Sequence, residues 1–66
     1  MNIDNFFRYH PPKGDQAERY IKIRAAARVL AETIVETCPE SEDRDMAIRK
    51  VREAMMTANA AIAVNE

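Results

Sequence analysis

The run Arg8-Tyr9-His10-Pro11-Pro12-Lys13 best combines residue type and spacing for chemistry: it sets an aromatic ring, an imidazole and cations beside a Pro-Pro step. Proline holds φ near one value, so such a segment is ordered before any ligand arrives. Bases stack on aromatic rings and phosphates pair with nearby cations, which makes nucleotides the ligand class that fits this surface. The same residues also fit a tyrosine packed on the body of the protein among solvated charges, and composition alone leaves both possibilities open.

Covalent catalysis finds no support elsewhere in the chain. His10 is the only histidine, Cys38 stands directly before Pro39, and no serine neighbours a plausible base. Nucleophile, base and orienting group therefore cannot be assembled, and an enzyme is not expected. Glu32 and Glu36, four apart, are the usual solvated face of a helix, and no His-Cys set has metal-ligand spacing, so neither metal nor cofactor is expected. Ten basic against eleven acidic residues argue against binding long nucleic acid through charge alone, while small charged ligands stay open. No basic segment followed by an apolar run opens the sequence, and charges interrupt the apolar residues throughout. No membrane segment is expected, and the chain reads as cytosolic with Cys38 reduced.

The elements that must position the aromatic-basic run are set by breakers at two places, Pro11, Pro12 and Gly14 near the start and Pro39 near the middle. They divide a single domain at 1–66 into a head at 1–13, a first long helix at 15–38 and a second at 41–64. Asp15 followed by Glu18 has the spacing of a capping box, so the first long helix is expected to begin near Gln16. Tyr20, Ile23, Ala27, Leu30 and Ile34 then recur at alternating intervals of three and four, as in a coiled-coil seam. Pro39 lacks an amide and keeps Cys38 out of helical geometry, which ends that helix. Ser41 is suited to cap the next, whose first turn carries Glu42 and Asp43 at the positive end of the helix dipole. Ile48, Val51, Met55, Ala58 and Ile62 form a second seam of the same period. The expected fold class is all-α, an antiparallel two-helix hairpin with a short N-terminal helical head.

Such a hairpin is short of burial. A folded domain of this length buries only about 60% of the surface its unfolded chain exposes, and a single cysteine with no metal site offers no staple. Self-association is the remaining source, so a homo-oligomer is expected. Ala47, Ala54 and Ala61 beside the second seam, with Ala25, Ala26 and Val29 widening the first, would let helices approach closely, although alanine is also simply the best helix former. Phe6 and Phe7 are expected to anchor the head on the hairpin or on a neighbouring subunit, since two exposed aromatics are a liability.

The stretches FFRYHPPKGDQAERYIKIRAAARVLAETI and CPESEDRDMAIRKVREAMMTANAAIAVNE, at this overall length, resemble the phage-encoded anti-CBASS cyclic-nucleotide sponge family, whose hairpin domain is shared with the anti-Thoeris sponges. The most specific pieces are YHPPKGDQ from Tyr9 to Gln16, RYIKIR from Arg19 to Arg24 and ANAAIA from Ala58 to Ala63. The resemblance implies a non-catalytic sponge that sequesters the cyclic oligonucleotide messengers of bacterial defence cyclases without cleaving them, in the cytoplasm of the infected bacterium. It also implies a compact hexamer, with cyclic dinucleotides such as cyclic GMP-AMP held between pairs of protomers. In some members of that family, cyclic trinucleotides occupy separate sites where three protomers meet.

Carried over residue by residue, the resemblance implies that Tyr9 stacks on a base and that Arg24, on the first long helix, meets the phosphates. His10, Pro11 and Pro12 would form the wall or lid of the pocket, with Lys13 or Arg8 adding charge at its rim. Val64 stands where family members often carry an arginine, and Ala26 where others place a hydroxyl, which speaks against a trinucleotide site. Two other classes of function stand beside this one. One is an oligomeric protein-interaction module that docks a host protein through its head without nucleotide binding; the other is a hydrolase, for which no base or metal is found.

Overall fold

The computed structural model describes all residues, 1–66. Asn2 opens the chain's first helix, its side-chain oxygen accepting from the Asn5 amide at 3.1 Å, and α1 spans Ile3–Phe7. Arg8 is extended (φ −87°, ψ 144°), and the Pro-Pro segment continues without regular structure to Gly14. Gly14 has a φ of 57°, the left-handed conformation that a residue without a Cβ adopts at little cost. That turn aims the chain into α2, Gln16–Thr37.

The capping box expected at Asp15 does not form. Asp15 occupies the N-cap, but its backbone (φ −91°, ψ 11°) lies outside the extended region from which a side chain reaches forward over the first turn. Its carboxylate instead accepts from Arg19 Nε at 3.2 Å. Gln16 closes the turn in its place, its side-chain oxygen accepting from the Lys13 amide at 3.1 Å while its own amide donates to the Lys13 carbonyl at 3.1 Å. At the other end, Cys38 is extended (φ −104°, ψ 141°), the geometry that a following proline favours. The next helix, α3, runs Glu42–Asn65 and is capped as expected, with Ser41 Oγ accepting from the Arg44 amide at 3.1 Å. Its first turn carries Glu42, Asp43 and Asp45, at the end of the hairpin opposite the head.

Helices α2 and α3 pack against each other as an antiparallel pair, with Gln16 meeting Glu66 at one end and Arg44 reaching the Val35 carbonyl near the other. Tyr20, Ile23, Ala27 and Ile34 face Ile48, Val51, Met55, Ala58 and Ile62, all half-buried. Leu30 departs from the expected seam: it is 51% exposed, and Ala31 turns inward instead. At 3.6 residues per turn, Ala31 lies about 40° from the direction of Ala27 and Leu30 about 60° to its other side, so the strict alternation of three and four drifts off the contact line. Leu30 borders an apolar groove of about 460 Å³ with Ala26, Ala54 and Met55.

The molecule measures 42 × 26 × 12 Å, and the smallest dimension is one helix diameter. Domains ordinarily enclose a core between two packed layers, and this chain supplies one. No hydrophobic residue is fully buried, and the accessible surface is 5510 Å² where a folded monomer of 7.5 kDa exposes about 4,200 Å². Of the expected aromatic anchors, Phe6 is partly seated in a groove with Thr57, Ala60 and Val64, whereas Phe7 stays 83% exposed. No helix is long and apolar enough to cross a membrane.

Candidate functional site

Where α1, the Pro-Pro segment and the last turn of α3 converge, a cleft of about 350 Å³ opens, lined by Arg8, Tyr9, His10, Pro11 and Lys13 together with Val64 and Glu66. Hydrogen bonds rather than apolar packing hold the head around it. Asn5 Nδ2 donates to the Val64 carbonyl at 3.1 Å, fastening α1 to α3. His10 Nε2 lies 2.7 Å from the Asn5 carbonyl. A carbonyl oxygen can only accept, so Nε2 must carry the hydrogen, which sets the ring's orientation. Arg8 donates through one terminal nitrogen to Asn5 Oδ1 at 3.1 Å, leaving the rest of its guanidinium without a protein partner.

Past the prolines, Lys13 Nζ donates to a main-chain oxygen of Glu66 at 2.7 Å and Gln16 Nε2 donates to Glu66 Oε1 at 3.4 Å. Arg19 grips the same carboxylate with both terminal nitrogens, donating to Oε2 at 2.7 Å and also to Oε1. The hydrogen bond from Arg19, then that from Gln16, pulls the Glu66 pKa from its ordinary 4.5 down to about 2, with the charges of Arg19 and Lys13 acting in the same direction. The reciprocal hydrogen bond to Glu66 holds the Arg19 guanidinium above its ordinary value.

Tyr9 is 80% exposed at the mouth of this cleft, its ring available for stacking. Of the residues singled out in the sequence, Arg8, Tyr9, His10, Pro11 and Lys13 therefore come together. Pro12 belongs to the same segment but faces solvent beside the cleft. Arg24 is not brought to it: it is exposed on α2, eight residues beyond Gln16 and so about 12 Å farther along the helix. Val64 lines the head cleft, whereas Ala26 lines the apolar groove on the hairpin's face. No cluster of His, Cys, Asp and Glu is placed to hold a metal ion.

Three residues at the site escape sequence reasoning: Asn5, Gln16 and Glu66. Gln16 sits inside the YHPPKGDQ run, which is a signal of a kind, but nothing near Glu66 in the sequence marks it as the partner of Lys13 and Arg19, 53 and 47 positions away.

Residues 1–63 match the protein family described as Acb2/Tad1, hairpin domain, a stretch that takes in the head and nearly all of both long helices. The chain belongs to the Acb2/Tad1 hairpin family. This is a family of phage anti-defence nucleotide sponges, known as non-catalytic. In this Acb2/Tad1 hairpin the aromatic-basic segment and its prolines all fall inside the matched stretch, while Glu66 lies beyond it. No curated protein and no solved structure matches the chain.

Proposed function

We propose that this Acb2/Tad1 hairpin is a sponge for cyclic dinucleotides, cyclic GMP-AMP among them, which it captures without cleavage and withholds from CBASS signalling in the cytoplasm of an infected bacterium. Tyr9 carries the proposal: its ring is exposed on a tethered segment between cations, in a chain of a nucleotide-sponge family. Stacking is worth roughly 1–3 kcal/mol per base and tolerates different bases, because every base has a π-face. The unengaged part of Arg8 and the ammonium of Lys13, which spends one donor on Glu66, supply charge at the rim, and His10, Pro11 and Pro12 supply the wall.

Arg24 takes the phosphate role only if a second copy completes the pocket, since one chain keeps it away from Tyr9. An arginine there would grip a phosphate through two parallel hydrogen bonds. The single-layer architecture and the apolar groove bordered by Leu30 support assembly, and a hexamer with a pocket shared by each pair of protomers is the arrangement proposed. A trinucleotide site is not part of the proposal, because Val64 and Ala26 offer no polar group.

Native mass spectrometry with and without cyclic GMP-AMP, followed by denaturation, tests this directly. The expected result is an even-numbered oligomer that releases chemically intact ligand. An oligomer without uptake would instead favour a protein-interaction module, and time-dependent loss of ligand mass would make the protein an enzyme.

A further inference from the structure

Gln16 is the one buried residue of the chain, 3% exposed, and it is an amide rather than an apolar side chain. Both ends of that amide are engaged: Oε1 accepts from the Lys13 amide at 3.1 Å and Nε2 donates to Glu66 Oε1 at 3.4 Å. The first bond ties off the segment that begins at Tyr9, and the second fastens it to the end of α3, where Arg19 holds the same carboxylate. No apolar core lies beneath the head, and Lys13 Nζ on the Glu66 main-chain oxygen, at 2.7 Å and exposed, is the other tie between the segment and the end of α3. From Lys13 backward the Pro-Pro step passes this placement on, because two successive fixed φ angles leave few ways to bend. His10 fixes the other end on the Asn5 carbonyl at 2.7 Å.

We propose that Gln16, with Glu66 as its partner, is the positioning residue of the nucleotide site, holding Tyr9 in one orientation before ligand arrives. This rests on the proposal that Tyr9 stacks on a base. Neither Gln16 nor Glu66 needs to touch the ligand. A loose segment would have to be ordered at the moment of binding, which lowers affinity in proportion to the fraction of time the competent arrangement exists, with no ligand contact removed.

The test is the affinity for cyclic GMP-AMP by calorimetry, with oligomer mass and helix content recorded on the same samples of the full chain. Gln16→Glu still accepts from the Lys13 amide but sets two carboxylates against each other, and should weaken binding about tenfold with the assembly intact. The double variant Gln16→Glu/Glu66→Gln restores a donor and an acceptor across the same contact while costing Arg19 one of its two bonds to residue 66, and should recover affinity in part, to within about threefold of wild type. Recovery shows that the two side chains act as a pair, and unchanged oligomer mass and helix content in the weakened single variant separates positioning from a merely structural role. Unchanged affinity in Gln16→Glu, or a double variant as weak as the single one, overturns the positioning role. If Gln16→Glu fails to fold, Glu66→Ala, an exposed change, decides: about threefold weaker binding supports the role and unchanged binding overturns it. Wild-type protein that takes up no cyclic GMP-AMP overturns both this inference and the sponge reading, whereas wild-type binding with indifferent variants overturns this inference alone.

Discussion

At Tyr9 the proposed affinity depends on a face of the ring, so truncation should be felt there first. Tyr9→Ala is expected to weaken cyclic GMP-AMP binding by about 10- to 100-fold in calorimetry, the loss of one stacking contact, with the oligomer mass unchanged. Unchanged affinity would move the site elsewhere. Arg24 acts by charge on a phosphate, so Arg24→Ala should lose more affinity at low salt than at high salt, read from titrations at two ionic strengths. Should the variant lose helix content instead, Arg24 is structural. The aromatic-basic run is legible in the sequence because its members are contiguous and proline marks them. Gln16 and Glu66 are not, since a hydrogen bond between residues 50 positions apart leaves no local pattern.

The long helices are legible because their limits are local events: Pro39 forbids the next turn of α2, and Ser41 accepts the amide that opens α3. The cap at Asp15 is not, because whether an aspartate caps depends on its backbone angles, and these are set by the neighbouring turn at Gly14. Leu30 and Ala31 exchange places for a similar reason, as adjacent residues of one seam are separated by helical drift rather than by type. How the head is fastened to α3 carries a pH dependence. The Glu66 pKa is depressed from 4.5 to about 2, so its contribution is complete above pH 4.5 and is lost as the pH falls toward 2. Side-chain resonances of Glu66 should titrate near the lower value, and protection of the Lys13 amide, relative to its intrinsic exchange at each pH, should fall over that window. A midpoint near 4.5 would mean that the tie to Arg19 does not persist in solution.

A slab one helix thick buries no hydrophobic residue fully, so folding and association are coupled if the proposed hexamer forms. Under the proposed assembly, the thermal midpoint should rise with chain concentration by mass action, measured by circular dichroism at concentrations a hundredfold apart. An invariant midpoint would mean that the hairpin is stable alone. The acidic first turn of α3 has a separate consequence, for the approach of a ligand. Glu36, Glu40, Glu42, Asp43 and Asp45, with Arg44 the one cation among them, lie at the far end of the hairpin, and with a net charge of only −1 over the whole chain the remainder is net positive. An anion diffusing toward the molecule is repelled from this acidic pole, while the excess cations, Arg24, Arg28, Arg49, Lys50 and Arg52, lie along the middle of the hairpin, so encounters are biased away from the acidic end before any contact is made. Stopped-flow association should therefore vary with salt while dissociation changes little, and Glu42→Lys, which reverses a charge in the acidic turn, should speed it at low salt; the approach of an anion is set by where the charge lies along the molecule, even though the whole is nearly neutral.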